Sequence, residues 1–227
     1  MDRVKTGIEG LDEMLNGGIP KNRHVTLYGG PGTGKTSFAF EYIYKGAQQG
    51  EAGVYISLEE TAEDIISNMK TTFPMFEDVE KLINSKKMEI IKPDTLGLDG
   101  VAGILEDRIL SNKIKRVVID SLTIMKMTSG VDEYRPMLFE FLSLLRGLDC
   151  TSMTTLEASK INKETVEYDI EHFVMDGIIN LYNLDRKDKR IRALEIFKLR
   201  GTNHSRDLVP FKVTPSGIKV YTGEKVF

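Results

Sequence analysis

Four glycines, a lysine and a threonine follow a short apolar run near the start of the chain, in the stretch LYGGPGTGKTSF (residues 27–38). Gly29, Gly34, Lys35 and Thr36 fit the pattern G-x-x-x-x-G-K-[ST]. Glycines allow successive backbone N–H groups to turn toward one anion, and the start of a helix adds a favourable dipole. The spacing therefore predicts a loop that encloses the phosphates of a nucleoside triphosphate.

Two side chains of this loop carry its chemistry. Lys35 can reach the β- and γ-phosphates, and the hydroxyl of Thr36 can ligate magnesium. Pro31 stiffens a loop that must be preformed. The residues expected to bind the nucleotide are Gly30, Pro31, Gly32, Thr33, Gly34, Lys35, Thr36 and Ser37. The alternative is a glycine-rich turn between a strand and a helix that binds no ligand.

Carboxylates at the ends of later apolar runs could serve a metal ion and a water molecule. Asp120 ends the run RVVID, and in a parallel sheet the strand tips face the bound phosphates. We predict that Asp120 holds magnesium through a water and through Thr36; alone, it would also fit an ordinary turn. Glu59 and Glu60 end the run GVYISLEE and could orient a water for in-line attack. An acidic pair that begins the next helix is an ordinary alternative.

Two cations, Lys198 and Arg200, alternate along the run KLRGTNH and would lie on one face of a strand. Such a pair fits an anionic partner, and an arginine that meets a phosphate across a subunit boundary can raise a hydrolysis rate by about 10³–10⁵. Charged residues also protect edge strands against aggregation, and the pattern alone favours that interpretation. His24 and His172 have no metal-ligand companion at usable spacing and are interpreted as structural.

Alternating strands and helices position these residues. The predicted strands are 24–29, 53–60, 88–93, 116–120 and 151–157, and the predicted longer helices are 35–48, 61–72, 99–112 and 132–148. Thr6 and Glu9 have the spacing of a capping box and predict a short helix over IEGLDEML. The alternation indicates a parallel sheet covered on both faces. After residue 173, four strand-like runs joined by short polar turns predict an antiparallel extension of that sheet.

The composition restricts the class of protein. The chain has 227 residues and no internal repeat or linker, which predicts a single domain over residues 1–227. A formal charge of −3 argues against a constitutive nucleic-acid coat but leaves a local basic groove open. The one cysteine, Cys150, excludes an internal disulfide and is interpreted as a buried apolar residue. Without an apolar signal core or a run of about 20 apolar residues, we expect a cytoplasmic protein.

In combination, these motifs resemble the KaiC-like ATPases of the RecA superfamily. The stretches TGIEGLDEMLNGGIPKN, GGPGTGKT, ISLEE, VVIDS, HFVMDGIINL and KLRGTNH, with a following PF, come in the order typical of that family. The resemblance spans essentially the whole chain and is to single-domain members of the archaeal type, whereas KaiC itself has two such domains in tandem. It implies an α/β fold: a RecA-like P-loop NTPase core with a mostly parallel sheet flanked by helices and a C-terminal antiparallel extension.

The resemblance also implies a function and an assembly. It implies a Mg²⁺-dependent ATPase that binds ATP or ADP at the subunit interfaces of a ring of six, with water attacking the γ-phosphate. Glu59 and Glu60 match the family's catalytic glutamate pair. Lys198, Arg200 and His204 would reach the nucleotide of the neighbouring subunit. The expected catalytic residues are thus Lys35, Glu59, Glu60 and, in trans, Lys198 and Arg200.

One departure from the family limits the expected activity. The second domain of KaiC autophosphorylates a Ser-Thr pair just before the strand that corresponds to DGIINL. Here that stretch is Glu171-His172-Phe173 and has no hydroxyl. The chain resembles the first, ATPase-only domain instead, so the resemblance does not imply autokinase activity.

Two other functions fit the sequence. A RecA or RadA paralogue that binds DNA in recombination or repair would need an added DNA-binding domain, which we do not expect within 227 residues, or long basic loops. The candidate loops, 126–132 and 157–169, are short and mixed in charge. A scaffold that binds ATP or ADP without meaningful turnover is the other alternative, and steady phosphate release separates it from an enzyme. The sequence identifies no protein partner.

Overall fold

The computed structural model describes residues 2–158, 168–186 and 189–226. In chain order the elements are β1 (Arg3–Val4), α1 (Leu11–Met14), β2 (Ile19–Pro20), β3 (His24–Gly29), α2 (Lys35–Gln48), β4 (Gly53–Ser57), α3 (Ala62–Thr72), a 3₁₀ turn (Pro74–Phe76), α4 (Val79–Asn84), β5 (Met88–Ile91), α5 (Leu98–Asn112), β6 (Arg116–Asp120), α6 (Leu122–Thr128), α7 (Val131–Gly147), β7 (Thr151–Glu157), α8 (Ile170–Val174), β8 (Gly177–Arg186), β9 (Lys189–Leu199), β10 (Val209–Thr214) and β11 (Gly217–Val220).

Nine of the described strands form one sheet in the order β11-β10-β9-β8-β3-β7-β6-β4-β5. The six strands from β8 to β5 are parallel, and β9, β10 and β11 continue the sheet antiparallel. The predicted fold class, a mostly parallel sheet with a C-terminal antiparallel extension, is therefore confirmed. β1 and β2 form a separate two-stranded pair.

Each face of the sheet buries its own hydrophobic core. On one face, α2 packs with α1, α3 and α4 over side chains such as Leu27 and Val118. On the other face, α5, α6 and α7 cover side chains such as Val117 and Ile119. Side chains alternate across a strand, so the central strands, covered on both faces, have the continuous apolar runs seen in the sequence.

The strand register brings the carboxyl ends of four strands to one edge of the sheet. Gly29 of β3 pairs with Glu157 of β7, and Ser57 of β4 pairs with Asp120 of β6. The loop after β3 and the carboxylates after β4 and β6 therefore meet, although up to about ninety residues separate them in the chain.

The predicted capping box at the start of the chain is wrong. α1 begins after Gly10, which has a left-handed backbone and no side-chain cap. Thr6 instead donates from its backbone N–H (2.7 Å) and its hydroxyl (2.8 Å) to Oδ1 of Asp12. Glu9 pairs with Lys219 across 2.6 Å. Asp12 accepts the hydrogen bonds that Thr6 donates, and Glu9 pairs with Lys219. Thr6 and Glu9 therefore do not form the two reciprocal hydrogen bonds of a capping box.

Other elements differ from their predicted bounds. The strand predicted over residues 53–60 ends at Ser57, whose hydroxyl donates to the carbonyl of Glu60 (2.7 Å) and closes a turn. The helix predicted over 61–72 is α3, with Thr61 as its N-cap. No sequence pattern predicted β1, β2, the 3₁₀ turn, α4, α6 or α8. No helix in the described part of the chain combines the length and the apolar character needed to cross a bilayer.

Candidate functional site

A cavity of about 280 Å³ opens at the carboxyl edge of the sheet, beside the glycine-rich loop. Its lining residues are Pro31, Gly32, Gly34, Lys35, Thr36, Glu59, Asp120, Ser121 and Glu157. The structure thus brings five residues of the predicted loop together with Asp120 and Glu59. The loop follows β3, Glu59 follows β4 and Asp120 ends β6. The cavity therefore depends on the order of these strands in the sheet.

The loop between β3 and α2 is shaped to receive an anion. Gly32 (φ +71°) and Gly34 (φ +98°) have left-handed backbones, and no atom lies within 4 Å of the position that a Cβ would occupy at either residue. Gly34 is the N-cap of α2 and offers no side-chain acceptor, so the N–H groups of the first turn remain available to a ligand. Thr33 is buried and donates from its hydroxyl to the carbonyl of Gly30 (2.8 Å), which closes the loop.

The ammonium of Lys35 lies folded against its own loop. Its Nζ donates to the carbonyls of Gly29 (2.9 Å) and Gly30 (3.1 Å). Burial lowers the pKa of Lys35 below its usual value, and three carboxylates around the cavity oppose that shift. In decreasing order of effect they belong to Glu157, Asp120 and Glu59. A cation held by carbonyls beside an open cavity can turn toward a bound phosphate.

Asp120 is held by two hydroxyl groups at the tip of β6. Its Oδ2 accepts a hydrogen bond of 2.5 Å from Tyr55 of β4. Its Oδ1 accepts a hydrogen bond from Thr155 of β7. The peptide bond between Asp120 and Ser121 is cis. The carboxylate is half-buried and lines the cavity together with Thr36.

The two predicted catalytic glutamates occupy different environments. Glu59 lines the cavity, and its Oε1 accepts a hydrogen bond of 2.8 Å from the hydroxyl of Ser121. Its backbone carbonyl accepts from Lys92 (2.8 Å). Glu60 points to α3, where its Oε2 accepts from Nδ2 of Asn68 (2.9 Å), and it is not among the residues that line the cavity. The structure therefore brings only Glu59 of the pair to the cavity.

Three residues near the cavity were missed by the sequence analysis. Ser121 and Glu157 line it, and Arg192 of β9 donates from Nε to the carbonyl of Gly32 (3.2 Å). Glu157 ends the predicted strand TSMTTLE, so the rule applied to Asp120 could have found it. Arg192 has no such local signal, because β9 reaches the loop only through the pairing of β8 with β3.

Lys198 and Arg200 contact one turn of the chain. Nζ of Lys198 donates to three backbone carbonyls of the segment 172–175, with the shortest distance, 2.7 Å, to Met175. Arg200 donates to the carbonyl of Phe173 (2.9 Å) and lies 3.7 Å from the buried carboxylate of Asp176. Both cations therefore contact the same segment of the chain, residues 172–176, which comes directly before β8.

These cations lie far from the cavity of their own chain. Leu199 pairs with Gly177, which pairs with Val25 at the amino end of β3. Four residues of strand, about 13 Å at about 3.3 Å per residue, separate Val25 from Gly29. Lys198 and Arg200 are thus at the opposite edge of the sheet from the loop, and within one chain they do not meet it.

The remaining predicted residues have other surroundings. His204 lines a second cavity of about 290 Å³ with Arg206 and residues of β9. His24 is buried, with Nδ1 2.9 Å from the hydroxyl of Ser152. His172 is buried and belongs to the capping box of α8. Cys150 is buried, and burial raises the pKa of its thiol to about 12.

The two candidate DNA-binding loops are residues 126–132 and 157–169. Most of the first, 126–132, belongs to α6 and α7. Residues 159–167 of the second lie outside the described residues.

Comparison with known proteins identifies relatives over nearly the whole chain. The sequence model of a family described as "ATPase: KaiC" matches residues 4–225. A UPF0273 protein of Thermotoga maritima is 37% identical, with 98% of this chain and 97% of that protein aligned. The circadian clock oscillator protein KaiC of Synechococcus elongatus is 32% identical over 96% of this chain, which corresponds to 44% of KaiC.

A solved structure is similar over the same length. The crystal structure of a KaiC-like protein from the hyperthermophilic archaeon Pyrococcus horikoshii superposes with a TM-score of 0.86 at 35% identity. The match covers 97% of this chain and 99% of that one.

Proposed function

The chain belongs to the KaiC family of ATPases, and from this premise we propose that it is a Mg²⁺-dependent ATP hydrolase that works as an oligomeric regulatory or motor-like module. The observation that supports this proposal best is the meeting of Lys35, Thr36, Asp120 and Glu59 around one cavity. An anion-binding loop, a metal carboxylate and a candidate base are the groups that phosphoryl transfer to water requires. We take residues 1–227 as one domain of this type, in the cytoplasm.

The residues around the cavity fit a magnesium nucleotide better than a free metal ion. The described residues contain no group of three His, Cys, Asp or Glu side chains that could hold a metal by themselves. Magnesium in phosphate sites usually takes one or two carboxylates and completes its shell with waters and substrate phosphates. Thr36 and Asp120, the latter through a water, would hold the ion, which when bound supplies charge neutralisation at the phosphate oxygens.

The residues of the chain would bind the substrate and move one proton. The backbone N–H groups of residues 30 and 32–37 would receive the phosphates of ATP or ADP, since Pro31 has no N–H. Lys35 would exchange its loop carbonyls for phosphate oxygens. The carboxylate of Glu59 would accept the proton of the attacking water while the Ser121 hydroxyl holds its Oε1. Glu60, bound to Asn68, would have a supporting role.

A neighbouring subunit would complete the site. Lys198 and Arg200 lie at the edge of the sheet opposite the cavity, so a phosphate that they contact must belong to another chain. We propose a ring of six copies with ATP between subunits, in which these cations and His204 approach the neighbour's nucleotide. Autokinase activity is not part of the proposal, because residues 171–173 offer no hydroxyl.

Phosphate release, measured together with native mass, tests the proposal. The purified protein should release phosphate steadily from ATP with Mg²⁺, and its native mass should correspond to a hexamer. Lys35→Ala should lose nucleotide binding, whereas Lys87→Ala, an exposed lysine before β5 at the opposite edge of the sheet, should behave as wild type.

Three results would count against this function. Micromolar ATP binding by Lys35→Ala would contradict the loop assignment. Tight nucleotide binding without phosphate release would favour a scaffold. A salt-dependent shift of single-stranded DNA would favour a DNA-handling paralogue.

A further inference from the structure

Both carboxylate oxygens of Asp120 receive a hydroxyl from a flanking strand. Tyr55 lies on β4 and Thr155 on β7, the two neighbours of β6 in the sheet. The Tyr55 hydroxyl is 2.5 Å from Oδ2, and the Thr155 hydroxyl donates to Oδ1. Each oxygen therefore has one donor, and the two donors lie on opposite sides of β6.

Strand register places these donors with little freedom. Tyr55 pairs with Val118, and Asp120 follows Val118 by two residues on the same strand. The side chains of Tyr55 and Asp120 therefore lie on the same face of the sheet, the one that α2 covers. Thr155 follows Thr154, the partner of Ile119, and so lies beside Asp120. α2 begins with Lys35 and Thr36, the residues that face the phosphate cavity. The sheet thus presents the supported carboxylate to the start of that helix.

We propose that Tyr55 and Thr155 are positioning residues that hold the Asp120 carboxylate in the orientation needed to bind the metal of a nucleotide complex. This inference rests on the proposed function, because it takes Asp120 as the metal carboxylate. A carboxylate has about four lone-pair positions, and two donors on different oxygens leave one on each for a water or a metal ion. Hydrogen bonds to ligating carboxylates fix their orientation, and removing such a partner typically costs about 10–100-fold in metal affinity or activity.

The geometry of Tyr55 suits this role. Its side chain is fully buried, and its hydroxyl reaches the Asp120 carboxylate. An ionised carboxylate can only accept hydrogen bonds, so the phenol is the donor in this contact. Tyr42 is equally buried, but its hydroxyl donates to the backbone carbonyl of Thr151 (3.2 Å), away from the cavity.

Metal affinity, measured apart from hydrolysis, tests the proposal. The probe is Mn²⁺, titrated into the full-length protein with ADP and followed by electron paramagnetic resonance. Tyr55→Phe and Thr155→Val should each weaken Mn²⁺ binding by about 10–100-fold. ADP affinity in excess EDTA should stay within about twofold of wild type, because the loop that binds the phosphates is unchanged. Thr155→Ser keeps the hydroxyl and should restore most of the Mn²⁺ affinity.

Matched variants separate positioning from packing. Tyr42→Phe removes a buried hydroxyl elsewhere in the same core, and Thr154→Val removes the hydroxyl that bonds Thr26 (2.8 Å). Neither should alter Mn²⁺ affinity. Unchanged Mn²⁺ affinity in both Tyr55→Phe and Thr155→Val, with normal binding by wild type, would overturn the inference and leave the proposed function standing. An equal loss in Tyr42→Phe would overturn it too, because any damage to the core would then suffice. Failure of the wild-type protein to bind Mn²⁺ with ADP would overturn both proposals.

Discussion

The hydroxyl of Ser121 donates a hydrogen bond of 2.8 Å to Oε1 of Glu59. This contact directs Glu59 into the cavity, whereas the adjacent Glu60 accepts from Asn68 on α3. Two glutamates that are equivalent by position in the sequence thus have different neighbours. A general base must lie within hydrogen-bond reach of the water that it deprotonates, and of the pair only Glu59 lines the cavity.

Glutamine variants of the two glutamates should therefore differ. We expect Glu59→Gln to lower kcat by about 10²–10⁴ with little change in ATP affinity, because the amide cannot accept the proton. Glu60→Gln should lower kcat by less than about tenfold. Steady-state phosphate release and equilibrium ATP binding measure the two effects. A larger loss of kcat in Glu60→Gln than in Glu59→Gln would assign the base to the other glutamate.

Mixed rings test the contribution of a neighbouring subunit. Arg200→Ala and Glu59→Gln proteins should each be inactive, and mixing them should restore part of the activity. Some interfaces then combine an intact arginine with an intact glutamate. The control mixes Arg200→Ala with the double variant Arg200→Ala/Glu59→Gln, which offers no complete interface. Absence of recovery in rings shown by native mass spectrometry to be mixed would argue against action in trans.

The buried carboxyl of Glu41 should make stability depend on pH. Glu41 is 2% exposed in α2 and accepts a hydrogen bond of 2.8 Å from the backbone N–H of Ile218. Burial raises its pKa from 4.5 to about 7, although that N–H and Lys45 oppose the shift. Between these two pKa values the folded state keeps the Glu41 proton, whereas the unfolded state releases it. The stabilising contribution of the protonated Glu41 is therefore complete below about pH 4.5 and is lost as pH rises through about 7.

Urea unfolding at pH 5 and pH 8 measures this effect. The free energy of unfolding should fall less between these two pH values in Glu41→Gln than in the wild type, because the amide keeps an acceptor for Ile218 and has no proton to lose. Glu77→Gln, which changes an exposed glutamate, should keep the wild-type dependence. Identical pH dependence in all three proteins would contradict the prediction.

A matched pair of glycines tests the packing of α2 against the sheet. A Cβ at Gly46 would lie 2.3 Å from both Cδ and Nε of Arg116, a fully buried side chain that pairs with Glu51 across 2.6 Å. We expect Gly46→Ala to lower the free energy of unfolding by about 1–3 kcal/mol, because the added methyl group overlaps the middle of a buried side chain that Glu51 and the carbonyl of Tyr42 hold in place. Gly103 of α5 has no atom within 4 Å of its Cβ position.

The control should change stability in the opposite direction. Gly103→Ala should raise the free energy of unfolding by up to about 1 kcal/mol through helix propensity alone. Thermal and urea unfolding of both variants measure these changes. Similar effects of the two substitutions would show that the overlap with Arg116 does not determine the change in the free energy of unfolding of Gly46→Ala.

The sequence by itself determined the fold class, the loop that begins α2 and the strand that ends at Asp120. Each depends on short-range patterns: glycine spacing, apolar runs of strand length and helices of regular period. Such patterns state which element forms and which residue ends it, because the backbone conformations involved are local. The family resemblance followed from the order of these same stretches.

Only the tertiary structure decided which side chains meet. It brought Glu59 and not Glu60 to the cavity, gave Asp120 its two hydroxyl donors and placed Lys198 and Arg200 at the edge opposite the cavity. The capping box failed for the same reason, since Thr6 found a partner in Asp12 and Glu9 one in Lys219. Strand order and register set these contacts, and they depend on packing between segments far apart in the chain, which no local pattern of residues encodes.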